Sequence, residues 1–183
     1  MRSLPLIFFL FILVVAGCSD PNGPTATVAN TERTDTLWAL VGTPVATPSG
    51  YSVDGSRRVR TDLSTEFDFA YNVEADGRHV FLPRAALGID TANTVKPGFR
   101  RMDEAFDAIT LAPGSGYTTD DPVVLAVGER YVVRGRVTCT LGLPKYAKME
   151  ILQFDDVAGL VTFRVLTDDN CGFRSLEPGL PDR

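Results

Sequence analysis

The chain is poor in the residues that acid–base and metal chemistry most often use. Its 183 residues include one histidine, His79, and three cysteines, Cys18, Cys139 and Cys171. A Ser-His-Asp triad would have to use His79, and no Gly-x-Ser-x-Gly elbow accompanies it. Gly114-Ser115-Gly116 lacks that spacing and reads as a turn. No Cys-x-x-Cys pair is present for zinc, and no glycine-rich loop is followed by Lys-Ser/Thr to cradle phosphate. Lysine is scarce, and the 18 basic residues are outnumbered by 23 acidic ones, for a net charge of −5. That balance argues against a general nucleic-acid role, which favours a basic face. No apolar run reaches the ~20 residues needed to cross a bilayer as a helix.

The longest apolar run, Leu4 to Val15, is short and N-terminal, and it follows Met1-Arg2-Ser3 with a single positive charge. This is the make-up of a signal-peptide h-region. The run closes on Val14-Val15-Ala16-Gly17-Cys18, which resembles the lipobox of bacterial lipoproteins, with valine where leucine is commonest. The resemblance implies cleavage before Cys18, a diacylglycerol on its thiol and acylation of the new amine. Two or more chains give stable anchoring at about 0.8 kcal/mol per buried CH₂. Ser19 follows the cysteine and Asp20 sits one place later than the aspartate that favours inner-membrane retention in enterobacterial sorting. The expected address is therefore the bacterial envelope, at the outer membrane.

The expected organisation is a signal peptide over 1–17, a lipidated flexible tether over 18–34, and one β-rich domain over 35–183. Ser19 to Thr34 offers Pro, Asn, Gly, Thr and Ser with little to bury. With Cys18 assigned to lipid, Cys139 and Cys171 remain as an even pair in an exported domain and read as a disulfide.

The domain reads as mostly β, an antiparallel sheet or meander with one or two short helices. Leu37 to Val41 is a short strand, and Arg57 to Leu63 another, guarded by charge. Glu66 to Glu74 has the clearest period of two, with Phe67, Phe69, Tyr71 and Val73 on one face and Glu66, Asp68, Asn72 and Glu74 on the other. Asp76-Gly77 is a hairpin signal, and His79 to Leu82 returns as the partner strand. Pro83 to Ile89 can form one helical turn. Phe99, Met102, Ala105, Phe106 and Ile109 recur at helical spacing and predict a helix. Arg130 to Val137, Lys145 to Phe154 and Ala158 to Leu166 form a closing meander. In it Ala147, Met149 and Ile151 face inward, as do Val161, Phe163 and Val165, while Lys148 and Glu150 face out.

Several of these segments resemble HmuY-like proteins. Arg130-Tyr131-Val132-Val133-Arg134, Lys145-Tyr146-Ala147-Lys148-Met149-Glu150-Ile151-Leu152 and Gly159-Leu160-Val161-Thr162-Phe163 look like their closing strands. Glu66-Phe67-Asp68-Phe69-Ala70-Tyr71 is similar to an earlier strand, with Phe67 in a tryptophan's place, and Ala112 to Asp120 resembles the loop before the meander. The likeness spans Thr65 to Thr167. It implies a lipid-anchored, β-rich protein, and the best-known members bind haem and hand it to an uptake system. Haem ligation there uses two histidines. This chain has only His79, which matches neither position, so no ligand is carried over; Met102 and Met149 are the other candidates for an axial ligand, and Met149 falls on the expected core face.

The pairs Asp120-Asp121, Asp155-Asp156 and Asp168-Asp169 lack the order of an EF-hand and suit turn capping. The expected function is a non-enzymatic, lipid-anchored envelope module, with the membrane as one partner and a ligand (haem included) or an envelope protein as the other. His79 is the candidate ligand-binding residue, and no metal or resident cofactor is expected. The alternative is a structural or assembly lipoprotein with no small ligand.

Overall fold

A computed structural model describes residues 25–90, 92, 94–140 and 142–181. The signal peptide, Cys18 and the start of the tether lie outside the described residues. Ten strands follow in order: β1 Thr31–Trp38, β2 Gly50–Ser52, β3 Arg57–Val59, β4 Phe69–Val73, β5 His79–Pro83, β6 Gly98–Met102, β7 Val123–Val124, β8 Arg130–Val137, β9 Pro144–Asp155 and β10 Leu160–Asp168. They form two five-stranded sheets, ordered β1-β10-β9-β8-β6 and β3-β2-β4-β5-β7, with every pairing antiparallel. Helical structure among the described residues amounts to 3-10 turns at Arg84–Leu87 and Phe106–Ala108.

The two sheets pack face to face. Tyr51, Phe69, Tyr71 and Phe81 from one sheet meet Phe99, Tyr131, Val133, Met149, Ile151, Phe163 and Val165 from the other in one buried cluster. The contacts across the interface are aromatic: ring centroids lie 5.4 Å apart for Tyr51–Phe163 and 4.8 Å for Phe69–Phe99. Edge-to-face and offset geometry of this kind adds to plain area burial. The inward residues of β4, β9 and β10 are the ones that alternation in the sequence predicts.

The outward faces are where expectation and structure part. Asp68 and Lys148, expected to face solvent, are 1% and 2% exposed. Lys148 is buried because the 3-10 turn and the C-terminal segment cover the outer face of its sheet, where Phe106, Ile109 and Leu176 pack on Val132, Tyr146 and Leu166. Its ammonium donates to the carbonyls of Phe106 and Ile109 at 3.0 Å each and sits 4.6 Å from the Phe106 ring. Burial lowers its pKa. The helix expected from Phe99 to Ile109 is not formed. Gly98–Met102 pairs with β8 instead, and Phe99 enters the interior while Phe106 and Ile109 lie on the opposite face of the same sheet. A helical spacing thus arose from residues serving two different cores. Gly98 is required by close approach: a Cβ there would stand 2.5 Å from the Thr118 carbonyl oxygen.

The strand ladder begins before residue 35, the expected start of the domain. Thr31 to Thr34 pair with Thr167 to Arg164 in the β1–β10 ladder. Before them, Asn170 Oδ1 accepts from the Thr27 and Val28 N–H groups, and Ala26 is buried. These residues hold the sheet edge through backbone bonds and polar side chains, Glu32 pairing with Arg164 and Arg33 donating to the Ser56 carbonyl, so they carry no apolar pattern to read.

Two ties close one end of the sandwich. Cys139 and Cys171 form a disulfide, with Cα atoms 5.8 Å apart, that joins the turn after β8 to the segment after β10. On the chain-entropy relation such a loop stabilises by about 3–4 kcal/mol. Beside it, Asp68 Oδ2 accepts from Val53 N–H at 2.6 Å, and Oδ1 accepts from Arg136 N at 2.6 Å and Nε at 3.1 Å. Burial pushes the Asp68 carboxyl upward, against the pull of these donors. Removing one partner of a buried pair costs about 3–5 kcal/mol. Asp68→Ala is therefore expected to lower unfolding stability by about that amount in urea titrations, and an effect within that of a surface change (about 0.5 kcal/mol) would refute the tie.

Candidate functional site

The opposite end is built from three chain turns: the loop between β1 and β2, the β4–β5 hairpin and the β9–β10 hairpin. The Asp76-Gly77 turn, with Gly77 at φ 85°, places His79 at the start of β5 opposite Val73. At the other hairpin, Asp155 Oδ1 accepts from the Val157 and Ala158 N–H groups at 3.0 and 2.9 Å, so the turn is capped. The long loop is pinned between them by Ala39 N–H to the Gly159 carbonyl at 2.7 Å and Leu40 N–H to the Tyr71 carbonyl at 2.8 Å.

His79 lies where these pieces meet. Its ring stacks on Phe154 of the facing sheet with centroids 3.8 Å apart. Its Nδ1 is 2.6 Å from the Tyr71 hydroxyl and its Nε2 is 3.1 Å from Asp156 Oδ1. In the neutral ring, Asp156 accepts only, so Nε2 carries the hydrogen and the Tyr71 hydroxyl donates to Nδ1. Burial, and then the nearby Asp156 charge, raises the Tyr71 pKa, which keeps the phenol a donor.

A cavity of about 480 Å³ elsewhere is lined by Arg84 and Arg136. Those cations are engaged, Arg84 by Asp90 and the Thr65 and Phe67 carbonyls, and Arg136 by Asp68. The groove over His79 is larger, about 630 Å³, with walls that include Val41, Pro44, Val73 and Val157 and with Thr43, His79 and Asp156 as polar members of its lining. That volume lies within the range of small-ligand sites. Val41 and Val157 are 68% and 101% exposed at its rim. The groove can therefore receive an apolar body and direct a hydrogen-bond donor or cation to Asp156, whose side chain is 83% exposed.

The other sequence candidates are dispersed. Cys18 lies outside the described residues. Cys139 and Cys171 are spent on each other. Met149 is fully buried between the sheets, and Met102 ends β6. Asp120 pairs with Lys96, and Asp169 with Lys145. Among the described residues no three His, Cys, Asp or Glu side chains come together as a metal set. Both nitrogens of His79 are occupied, so coordination would require Nε2 to leave Asp156. Sequence reasoning found His79 and Tyr71 separately. Their contact could have been read from the hairpin, since Tyr71 and His79 are diagonal neighbours on one face. The Asp156 contact could not, because it comes from the other sheet.

The chain matches no family model, no curated protein and no solved structure.

The proton placement is open to measurement. Long-range ¹H–¹⁵N spectra should show His79 protonated on Nε2, with Tyr71→Phe releasing Nδ1 and costing about 0.5–1.5 kcal/mol of stability. A ring protonated on Nδ1 in the unsubstituted protein would contradict the network.

Proposed function

We propose that this protein is a lipid-anchored envelope protein of a bacterium that binds a ligand or partner, and that the groove over His79 is where it does so. The observation that carries this reading is the groove itself: valine and proline side chains beside Thr43, His79 and Asp156, assembled from three turns and backed by a hydrogen-bonded Asp156–His79–Tyr71 chain. Binding loops set on a rigid scaffold are the usual arrangement for recognition. The anchor half of the reading rests on the lipobox-like Val15-Ala16-Gly17-Cys18. It is supported by the Cys139–Cys171 disulfide, which fits an oxidising compartment and takes up both other cysteines. The expected location is the outer membrane.

The resemblance to HmuY-like proteins makes haem the first ligand to test. A Soret shift on mixing haemin with protein lacking residues 1–17, reduced in His79→Ala, is the expected result if haem occupies the groove. An unchanged spectrum removes haem and leaves the groove to another ligand with an apolar body. The anchor has its own test. Cells expressing the full chain should incorporate labelled palmitate into it, and Cys18→Ala should abolish the label; label retained in that variant would refute lipidation at Cys18.

A further inference from the structure

The cavity at the closed end of the sandwich has two arginines in its wall, and neither has used all its donors. Arg84 follows β5 and is 6% exposed. Its Nε donates to Asp90 Oδ2 at 2.6 Å, and its Nη1 donates to the carbonyls of Thr65 and Phe67. Arg136, in β8, gives Nε to Asp68 Oδ1 at 3.1 Å and Nη2 to the Ser52 hydroxyl at 3.4 Å. A guanidinium has donors on all three nitrogens. Arg84 Nη2 and Arg136 Nη1 are thus left without a partner among the described residues. Neither nitrogen is sealed inside the protein, so each is open to the cavity its side chain lines. The two groups are held by adjacent residues: Phe67 supplies a carbonyl to Arg84, and Asp68 a carboxylate to Arg136. Two unused donors therefore enter one space from neighbouring points of the chain.

Buried polar groups are normally paired, so an arginine this buried with an open nitrogen marks a place for an acceptor. Guanidinium groups match the oxygens of carboxylates and phosphates. The charge around the cavity selects between these two. Asp90 and Asp68 already balance Arg84 and Arg136 one for one, and the chain as a whole carries −5. A dianion would add two uncompensated charges beside those aspartates, and a monoanion adds one. The rest of the wall includes Val95, Pro97 and Val137, and the volume of about 480 Å³ falls in the range of small organic ligands. A bare inorganic ion would leave that aliphatic part unfilled. The donors are also fixed in advance. Arg84 is held at Nε and Nη1, and Arg136 at Nε and Nη2, so binding need not order them. Gly142 completes the wall, and its N–H donates to the Cys139 carbonyl at 3.0 Å, so the disulfide steadies that side.

We propose that this cavity binds a small organic monocarboxylate. Its oxygens accept from Arg84 Nη2 and Arg136 Nη1, and its aliphatic body lies against Val95, Pro97 and Val137. The site is separate from the His79 groove and does not depend on lipidation at Cys18.

The experiment uses the full chain, labelled with ¹⁵N and held in a non-ionic detergent, and follows the arginine side-chain N–H signals. Butyrate is the probe, with butyramide as its uncharged counterpart and inorganic phosphate as the competing anion. Butyrate should move the Arg84 and Arg136 signals along one saturating curve, and butyramide should not. His79→Ala should leave that curve unchanged. Val137→Trp fills the cavity from a position that is 41% exposed, keeps both arginines, and should abolish the response. Arg84→Lys keeps the charge but loses the fork, and should weaken binding about tenfold. Shifts that never saturate, or an equal response to butyramide, overturn the proposal. So does a response that survives both Val137→Trp and Arg84→Lys, or one lost in His79→Ala. Saturation by phosphate at a lower concentration than butyrate overturns the carboxylate assignment.

Discussion

Asp68 places a carboxylate between two sheets, where water cannot solvate it, and divides its oxygens between them. Oδ2 takes the N–H of Val53, just after β2, and Oδ1 takes the backbone and side chain of Arg136 in β8. A charge in that position is tolerable only with all its donors in place. The backbone has adapted to supply them. The β8–β9 register shifts between Arg134 and Val137, which frees Arg136 N–H from the ladder to reach Asp68. Gly135 at that bulge has no Cβ, and one built there would stand 3.0 Å from Val53 Cβ. The aromatic core between the sheets is non-directional and would tolerate sliding. The Asp68 tie does not, so it sets how the sheets are aligned at the closed end.

Alternation along the strands made the inner faces legible. Phe69 and Tyr71, Ala147 and Met149, and Phe163 and Val165 all face the sandwich interior as a period of two requires. The outer faces were not legible, because what covers them comes from elsewhere in the chain. Lys148 reads as a solvent residue until the Phe106–Ala108 turn is laid over it, and the carbonyls of Phe106 and of Ile109, just after the turn, accept its hydrogen bonds. Phe99 to Ile109 reads as a helix because its apolar residues serve two cores on opposite sides of one sheet. Thr31 to Thr34 reads as a tether because its strand is held by backbone bonds and by polar side chains whose partners, Arg164 and Ser56, come from distant segments.

The site shows the same division between local and distant information. The hairpin at Asp76-Gly77 and the pairing of Cys139 with Cys171 follow from local turn chemistry and from cysteine parity. The proximity of Tyr71 and His79 was available from hairpin register. Asp156 and Phe154 reach His79 only when the two sheets close, and no spacing along the chain connects them. One histidine was too little to suggest a catalytic set, and the structure gives that histidine hydrogen bonds on both nitrogens in place of a free coordination position.

The two ends of the domain also differ in what holds them. At the closed end the disulfide, the Asp68 tie, the Lys145 contacts with Asp54 and Asp169, and the Asn170 bonds to Thr27 and Val28 all cross between distant segments. At the groove end the cross-connections are hydrogen bonds between turns together with the His79 stack on Phe154 and its bond to Asp156, with Asp156 and Val157 standing in solvent. Regions with few buried ties and exposed backbone bonds open at lower free energy than the whole fold. A ligand seated in the groove would tie the β1–β2 loop to both hairpins and so add stability at the end where the fold has least. At a concentration 100 times Kd that contribution is about 2.7 kcal/mol. Firm ties at the closed end and looser turns around the groove divide the domain into an end that opens only with the whole fold and an end that opens more readily.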